Sequence, residues 1–317
     1  MIIATSGKGS MGKTTFLIRS YQYGILDSMV MRMGYDGVCF IDLDPYMILS
    51  CTLRTQSPDI PDAPTVADLR QRLEIDMASG ERPRVPDGTP EMLQLEWDIV
   101  QSCIARWNRW VGSYGDGAIG RSVPSDAASP SVIEQTNSAV VTYRLITLGT
   151  WTLGGSQCTP NNTVSRTLAQ IVQSMPRTIF LIDNPAGIEP FGRYANIPPN
   201  IYLCFGNTRD LIQQKAWAQT IVQTFTMAWR TVLDPGNPSA LNHRFRIIAI
   251  PSPYRSRKVV VPRETVLAMI QEYVEDSDIA GLIGDITVIA PPFVQHRQRL
   301  SDIWEKVEQA LHGVGIR

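Results

Sequence analysis

A short segment near the start of the chain carries glycine, lysine and hydroxyl side chains in an order that suits phosphate binding. The segment is Lys8-Gly9-Ser10-Met11-Gly12-Lys13-Thr14-Thr15. It follows a short apolar stretch and precedes one with helical periodicity, which is the strand–loop–helix order that such a loop requires. Gly9 and Gly12 allow successive backbone N–H groups to turn inward around a phosphate, and the start of the helix adds positive potential. The segment therefore predicts a phosphate-binding loop.

The side chains of this loop predict which parts of a nucleotide they contact. Lys13 is expected to reach the β- and γ-phosphates, and the Thr14 hydroxyl is expected to hold Mg²⁺. The residues predicted to bind the nucleotide are Gly9, Ser10, Met11, Gly12, Lys13, Thr14 and Thr15. We expect the ligand to be a nucleoside triphosphate with Mg²⁺.

Seven short apolar runs alternate with segments of helical periodicity. They are Met1–Thr5, Val38–Ile41, Thr142–Leu148, Thr178–Ile182, Ile201–Phe205, Arg246–Ile250 and Ile286–Ala290. Runs of this length without polar alternation are typical of strands buried on both faces of a parallel sheet. The pattern predicts an α/β fold with a doubly wound, mostly parallel sheet of about seven strands, and ligands bound at the carboxyl ends of those strands.

Carboxylates follow two of these runs. Asp42 and Asp44 leave the second strand as Asp42-Leu43-Asp44-Pro45, and their i, i+2 spacing points both side chains toward its carboxyl end. Asp183 ends the run Phe180–Ile182 at a position suited to a Mg²⁺-binding carboxylate. We expect these three acids to lie at the same edge of the sheet as the phosphate loop.

The order of these motifs resembles that of the MinD/ParA group of P-loop ATPases, of the SIMIBI type. Lys8, directly before the first glycine of the quoted segment, resembles the additional lysine of the deviant Walker A motif in that group. The resemblance implies that Lys8 crosses a homodimer interface and contacts the partner's nucleotide. It also implies that Asp42 contacts the Mg²⁺ shell and that Asp44 orients or deprotonates the attacking water.

The same resemblance extends to the stretch after Asp183. It implies that Asp183 is the Walker B carboxylate and that Gly187 senses the γ-phosphate. The sequence 186–193 is similar to a segment of the carbon monoxide dehydrogenase maturation (nickel-insertion) ATPases, which carry a CxC metal motif upstream. Only Cys158 stands in the corresponding position here, with Ser156 in place of the other cysteine. The resemblance favours ATP, although no asparagine follows the strand Arg246–Ile250 to recognise adenine.

The stretch 58–138 interrupts the alternation of strands and helices. It contains proline- and aspartate-rich turns, a predicted helix from Glu91 to about Val111 that carries Trp97, Trp107 and Trp110, and a Gly/Ser/Pro/Asp-rich segment. We interpret it as an insertion in a single P-loop domain that spans residues 1–317. Its tryptophans are expected to pack in the core or at a dimer interface, because large aromatic side chains usually bury area, and a ligand site is the alternative.

Composition restricts the location and the partners of the chain. Its 317 residues carry a formal net charge of −1 and five cysteines, none of them in CxxC or CxC spacing. These features, with no apolar run of membrane-spanning length and no signal peptide before the first strand, predict a reduced, cytoplasmic protein without a membrane partner.

The sequence leaves three functions open. The first is an ATP-dependent homodimerisation switch that hydrolyses ATP slowly while it positions or activates a protein partner. The second is a plasmid partition or conjugation ATPase that binds DNA non-specifically through a basic cluster, made of Arg244, Arg246, Arg255, Arg257, Lys258 and Arg263. The third is a metal-insertion chaperone, which depends on whether Cys158 binds metal.

Overall fold

The fold consists of parallel and antiparallel strands with helices between them. The computed structural model describes residues 1–7, 9, 11–111, 121–124, 139–153, 158–185, 199–207, 211–233, 245–252, 263–272, 286–288 and 297–312. The strands are β1 (Ile2–Ser6), β2 (Gly37–Asp42), β3 (Ile104–Val111), β4 (Arg121–Pro124), β5 (Ala139–Thr147), β6 (Thr178–Asp183), β7 (Ile201–Asn207), β8 (Arg246–Ser252) and β9 (Ile286–Val288). The helices are α1 (Lys13–Gln22), α2 (Ile25–Arg32), α3 (Ile48–Gln56), α4 (Val66–Ser79), α5 (Pro90–Ser102), α6 (Cys158–Ser174), α7 (Leu211–Leu233), α8 (Arg263–Glu272) and α9 (Arg297–His312).

The chain divides into two compact units. The first unit comprises residues 1–25 and 183–317, and the second comprises residues 26–182. In the first unit the strand order is β1-β7-β8-β9, and every neighbouring pair is parallel. In the second unit the order is β4-β3-β5-β2-β6, with β2 and β5 parallel and β3 antiparallel to both β4 and β5. The α/β class with mostly parallel strands is confirmed.

All seven predicted strands are present, and the stretch 58–138 adds two more, β3 and β4. The predicted helix from Glu91 to about Val111 was wrong in its second half. Helix α5 ends at Ser102, and Ile104–Val111 forms β3. In β3 the buried residues Ala105, Trp107 and Arg109 alternate with more exposed ones, as in a strand with one face on a core. Trp107 is fully buried, in agreement with the expectation that it packs in the core.

The C-terminal helix α9 buries its apolar face within the first unit. Trp304 stacks on Phe16 of α1 with ring centroids 5.3 Å apart, and its indole N–H donates to the Ser20 hydroxyl at 2.8 Å. Phe16 also contacts Phe205 of β7. Burial of each such side chain contributes about 1.5–3 kcal/mol. These contacts fix the helix that begins at Lys13 against the strand beside β1.

The core of the second unit contains a column of aromatic rings. Phe40, Tyr143 and Trp107, on the adjacent strands β2, β5 and β3, stack at centroid distances of 6.1 and 5.6 Å. Beside this column, the buried Arg109 pairs with the buried Asp27 of α2 at 3.3 Å. The inserted strand β3 is therefore part of the core of its unit.

No helix in the described part of the chain is both long enough and apolar enough to cross a membrane.

Candidate nucleotide-binding site

The described part of the loop between β1 and α1 ends in a glycine with a left-handed backbone. Gly12 has φ 88° and caps α1, and its carbonyl accepts the Phe16 N–H at 2.8 Å. A left-handed residue at this point costs an L-amino acid about 1–2 kcal/mol, whereas glycine adopts it freely. Lys13 is the first residue of the helix, so the N–H groups of Lys13 and Thr14 lie at its positive end. Lys8 and Ser10 lie outside the described residues.

Gly7 is a loop residue that the sequence analysis missed. Its φ is 131°, and a Cβ atom there would lie 2.2 Å from the Phe205 carbonyl oxygen of β7. Only glycine fits both constraints. With Gly7 included, Gly7–Thr14 matches the pattern GxxxxGK[ST], so the signal was present in the sequence.

The Lys13 ammonium is held at the base of this loop. Its Nζ donates to the Gly7 carbonyl oxygen at 3.0 Å, and the residue is 7% exposed. A buried ammonium needs compensating partners. A lysine in this position has its charge directed at the loop that would surround a phosphate.

Thr14 and Asp183, both predicted to bind Mg²⁺, are in contact. The Thr14 hydroxyl donates to Asp183 Oδ2 at 2.6 Å, across 169 residues of sequence. Hydroxyl and carboxylate oxygens are the hard donors that Mg²⁺ prefers. This pair therefore fits a Mg²⁺ site.

Two residues that the sequence analysis did not single out orient Asp183. The Thr5 hydroxyl donates to Asp183 Oδ1 at 3.0 Å and accepts the Asn184 N–H at 3.3 Å. The Asn184 side chain donates to the Thr5 carbonyl at 2.7 Å. Both carboxylate oxygens of Asp183 thus have defined partners, and the acid is 1% exposed. The only sequence signal was that Thr5 is a hydroxyl residue near the end of an apolar strand.

Asp42 lies at the end of β2 in the second unit and organises the segment after it. Its Oδ2 accepts both the N–H and the hydroxyl of Ser50, at 2.8 and 2.7 Å, while Oδ1 accepts the Asp44 N–H at 3.2 Å. The Ser50 hydroxyl also lies 2.9 Å from that of Thr147. Asp42 is completely buried. Its contribution to a Mg²⁺ shell stays a prediction, and its observed function is to hold the start of α3.

Asp44 lies on a turn that is more exposed. One of its oxygens accepts the Tyr46 N–H at 2.9 Å, and its carbonyl accepts the Met47 N–H. Met47 has φ 53°, the only positive φ of a non-glycine residue in the described chain. Since Asp42 and Asp44 belong to the second unit, their approach to the loop of Lys13 stays a prediction.

The remaining predicted residues are described only in part. Gly187, Arg244, Arg255, Arg257 and Lys258 lie outside the described residues. Arg246 opens β8 and is half-buried, and Arg263 begins α8. Strand β8 contains no asparagine, and its Pro251 pairs in register with Gly206 of β7.

The buried cysteines are not poised to bind metal. Burial raises the pKa of the Cys204 thiol, which lies 3.6 Å from the Ser6 hydroxyl, to about 11. Burial likewise raises the pKa of Cys39 and of Cys103 to about 12. Thiols with such pKa values stay protonated and unreactive at neutral pH. Among the described side chains no group of three or more His, Cys, Asp or Glu residues could hold a metal ion, and the Cys158 side chain is outside that set.

Several solved structures resemble the chain weakly. A cobyrinic acid a,c-diamide synthase from Mycobacterium smegmatis with bound ADP and magnesium is 14% identical over 98% of this chain and 93% of its own, with a TM-score of 0.44. The ATP complex of a McdA variant from Cyanothece is 14% identical over 98% and 96%, also with a TM-score of 0.44. The pNOB8 ParA bound to nonspecific DNA is 13% identical over 98% and 92%, with a TM-score of 0.40. No family model and no curated protein matches the sequence.

These similarities are too weak to carry a functional statement, and the narrower resemblance to nickel-insertion ATPases stays a prediction. The chain's own geometry defines an α/β protein in which a loop with glycines and a buried lysine precedes a helix and adjoins a hydroxyl–carboxylate pair.

Proposed function

We propose that the protein binds and slowly hydrolyses Mg-ATP, and that ATP brings two copies together as a switch that positions or activates a partner. The observation that carries the proposal is the contact of Thr14 with Asp183 directly beside Lys13. A threonine and an acid from distant parts of the chain meet at the start of a helix, where a triphosphate and its metal would lie.

Each site residue of the first unit would have a specific function in this reaction. The Lys13 ammonium would exchange the Gly7 carbonyl for phosphate oxygens, which are stronger acceptors because they are charged. Thr14 and Asp183 would hold Mg²⁺, Asp183 through water, and Thr5 would keep the carboxylate in one orientation. The bound metal would neutralise charge on the β- and γ-phosphates.

The remaining functions rest on sequence positions. Asp44 would orient the attacking water, Gly187 would sense the γ-phosphate, and Lys8 would reach the nucleotide of the second copy. A cation supplied in trans completes charge neutralisation only in the dimer, so hydrolysis and dimerisation become coupled.

Dimerisation is the first property to test. Light scattering should show a monomer with Mg-ADP and a dimer with Mg-ATP, most clearly in Asp44→Ala, in which hydrolysis is slowed. Lys8→Ala should bind ATP and remain a monomer, because only the contact across the interface is lost. Lys306→Ala, which changes an exposed lysine of α9, is the matched control and should dimerise. Dimers that persist in Lys8→Ala would exclude a lysine acting in trans, and a nucleotide-independent state would favour a fixed oligomer.

Asp183→Asn should weaken the Mg²⁺-dependent part of ATP binding and hydrolysis and leave Mg²⁺-independent ATP binding intact. Loss of an outer-shell metal partner typically costs roughly 10- to 100-fold in metal affinity or activity. We expect ATP hydrolysis to fall by that factor while ATP affinity without Mg²⁺ changes little. Asp62→Asn, at a fully exposed aspartate, should hydrolyse ATP normally. Normal Mg²⁺-dependent hydrolysis by Asp183→Asn would remove Asp183 from the metal site.

The DNA-binding alternative rests on the basic cluster Arg244–Arg263 of the sequence. Duplex DNA binding that weakens steeply with salt, and that is lost when these residues are neutralised, would favour it over a switch acting on a protein.

A further inference from the structure

One face of the strand pair β3 and β5 in the second unit carries an unusual set of side chains. Strands β3 and β5 pair so that Arg106 lies directly opposite Arg144, Asn108 opposite Thr142, and Trp110 opposite Val140. Along each strand these side chains alternate with buried ones, which include the aromatic column and the Arg109 that pairs with α2. The six side chains therefore share the other face of the sheet. We call this set the arginine face.

The two arginines of this face repel each other. Side chains directly opposite on antiparallel strands have Cβ atoms about 4.5–5.5 Å apart, and like charges there destabilise the sheet. Burial lowers the pKa of Arg144, and the positive charge of Arg106 lowers it further, while Cys39 and Asp36 oppose this effect. The pairing of like charges costs the sheet a little stability, and an anion bound by both guanidinium groups would offset that cost.

Neither arginine forms an ion pair among the described residues, although the charge of Asp36 acts on Arg144 from a greater distance. The ion pairs of the second unit involve other arginines, and Asp36 pairs with Arg177 at 3.4 Å. Among the residues that the structure describes, Arg144 donates to the Thr178 hydroxyl, at 3.4 Å. The segments of β3 and β5 contain no Asp or Glu at all. Arg109, the third arginine of these strands, is neutralised by Asp27 on the opposite face.

The other members of the face add an aromatic surface and a hydrogen-bond donor. Trp110 is half-buried, and its ring makes no stacking contact or hydrogen bond with any described residue. The side-chain oxygen of Asn108, Oδ1, accepts a hydrogen bond from the Thr142 hydroxyl at 3.2 Å. The NH₂ group of the same side chain therefore points away from Thr142.

We propose that the arginine face binds single-stranded nucleic acid, with Arg106 and Arg144 on the phosphates and Trp110 stacked on a base. Guanidinium groups suit phosphate oxygens because they can donate two parallel hydrogen bonds. An aromatic ring on a basic sheet surface adds stacking on unpaired bases, which a duplex does not offer. The site lies on β3 and β5 of the second unit and needs no nucleotide at the phosphate loop.

The test uses the full chain and a fluorescein-labelled oligothymidylate, with anisotropy measured over a range of salt concentrations. The double variant Arg106→Gln and Arg144→Gln should bind weakly, and the slope of log K against log salt should fall by about 1.4, since each single-strand phosphate contact contributes roughly 0.7. Trp110→Leu should lose roughly 5- to 100-fold in affinity, the effect of one stacked base. Arg72→Gln, at an exposed arginine of α4, should bind as the unchanged protein does.

The double variant should remain folded, because it removes a repulsion and no ion pair. Its unfolding midpoint is expected to equal or exceed that of the unchanged protein. The proposal is overturned if the unchanged chain does not bind the oligonucleotide, or if the double variant binds it with unaltered affinity and salt slope. It is also overturned if polyglutamate displaces the oligonucleotide and Trp110→Leu has no effect, because the face would then take an acidic protein segment.

Discussion

Lys13→Ala should lower the affinity for ATP by at least roughly 100-fold. Lys13 is expected to reach both the β- and the γ-phosphate, and each charge-assisted hydrogen bond contributes about 1.5–3 kcal/mol. Since about 1.4 kcal/mol is a factor of ten, the loss of two such bonds accounts for this decrease. The lysine starts α1 and is 7% exposed, with its Nζ 3.0 Å from the Gly7 carbonyl oxygen. Calorimetric titration with a non-hydrolysable ATP analogue measures the loss directly.

The fold should tolerate this change. Lys13 makes a hydrogen bond to the loop, and alanine is the best helix former, so the unfolding midpoint should move little. Lys306→Ala, on the exposed side of α9, is the matched control and should bind ATP normally. Undiminished ATP binding by a folded Lys13→Ala variant would contradict the proposed site as a whole.

Arg109→Met should destabilise the protein by about 3–5 kcal/mol, the usual cost of leaving one member of a buried ion pair uncompensated. Arg109 and Asp27 are 4% and 2% exposed, and the Tyr143 hydroxyl donates to the same carboxylate at 2.5 Å. Urea unfolding of the variant measures the difference. Asp27→Leu combined with Arg109→Met should recover most of the loss, because an apolar pair leaves no buried charge. Arg72→Met, at an exposed position, should stay within about 0.5 kcal/mol of the unchanged protein.

The loss of stability in Arg109→Met should become smaller as the pH falls. Burial raises the pKa of Asp27, and Arg109 and Tyr143 lower it in opposition. Without Arg109 the pKa rises further above its value in the unfolded chain, so the folded variant binds a proton that the unfolded one has lost. The variant therefore gains stability relative to the unchanged protein as the pH falls through that range. A deficit that is constant with pH would mean that lost packing, and not the buried charge, causes it.

The sequence predicted most strands correctly but misassigned β3. The seven buried runs are continuous and apolar, and so their signal is local. In Ile104–Val111 the inward position after Trp107 is an arginine, so the alternation of apolar and polar residues is broken. Its partner Asp27 lies in a distant helix, and no local pattern indicates that Arg109 becomes neutral enough to be buried. The stretch was therefore assigned to the preceding helix.

The phosphate loop was determined by the sequence alone, because its chemistry is contiguous. Glycines that permit the required φ angles, a lysine and a threonine at a helix start lie within Gly7–Thr14, and the structure arranges them accordingly. The partners of Asp183 were decided by the tertiary structure. Thr14 and Thr5 reach this carboxylate across 169 and 178 residues. The arginine face likewise exists only because β3 pairs with β5 in one register. Such contacts depend on which strands become neighbours. Strand pairing is decided by which arrangement buries the apolar side chains of the whole chain, and not by the few residues that make the contact.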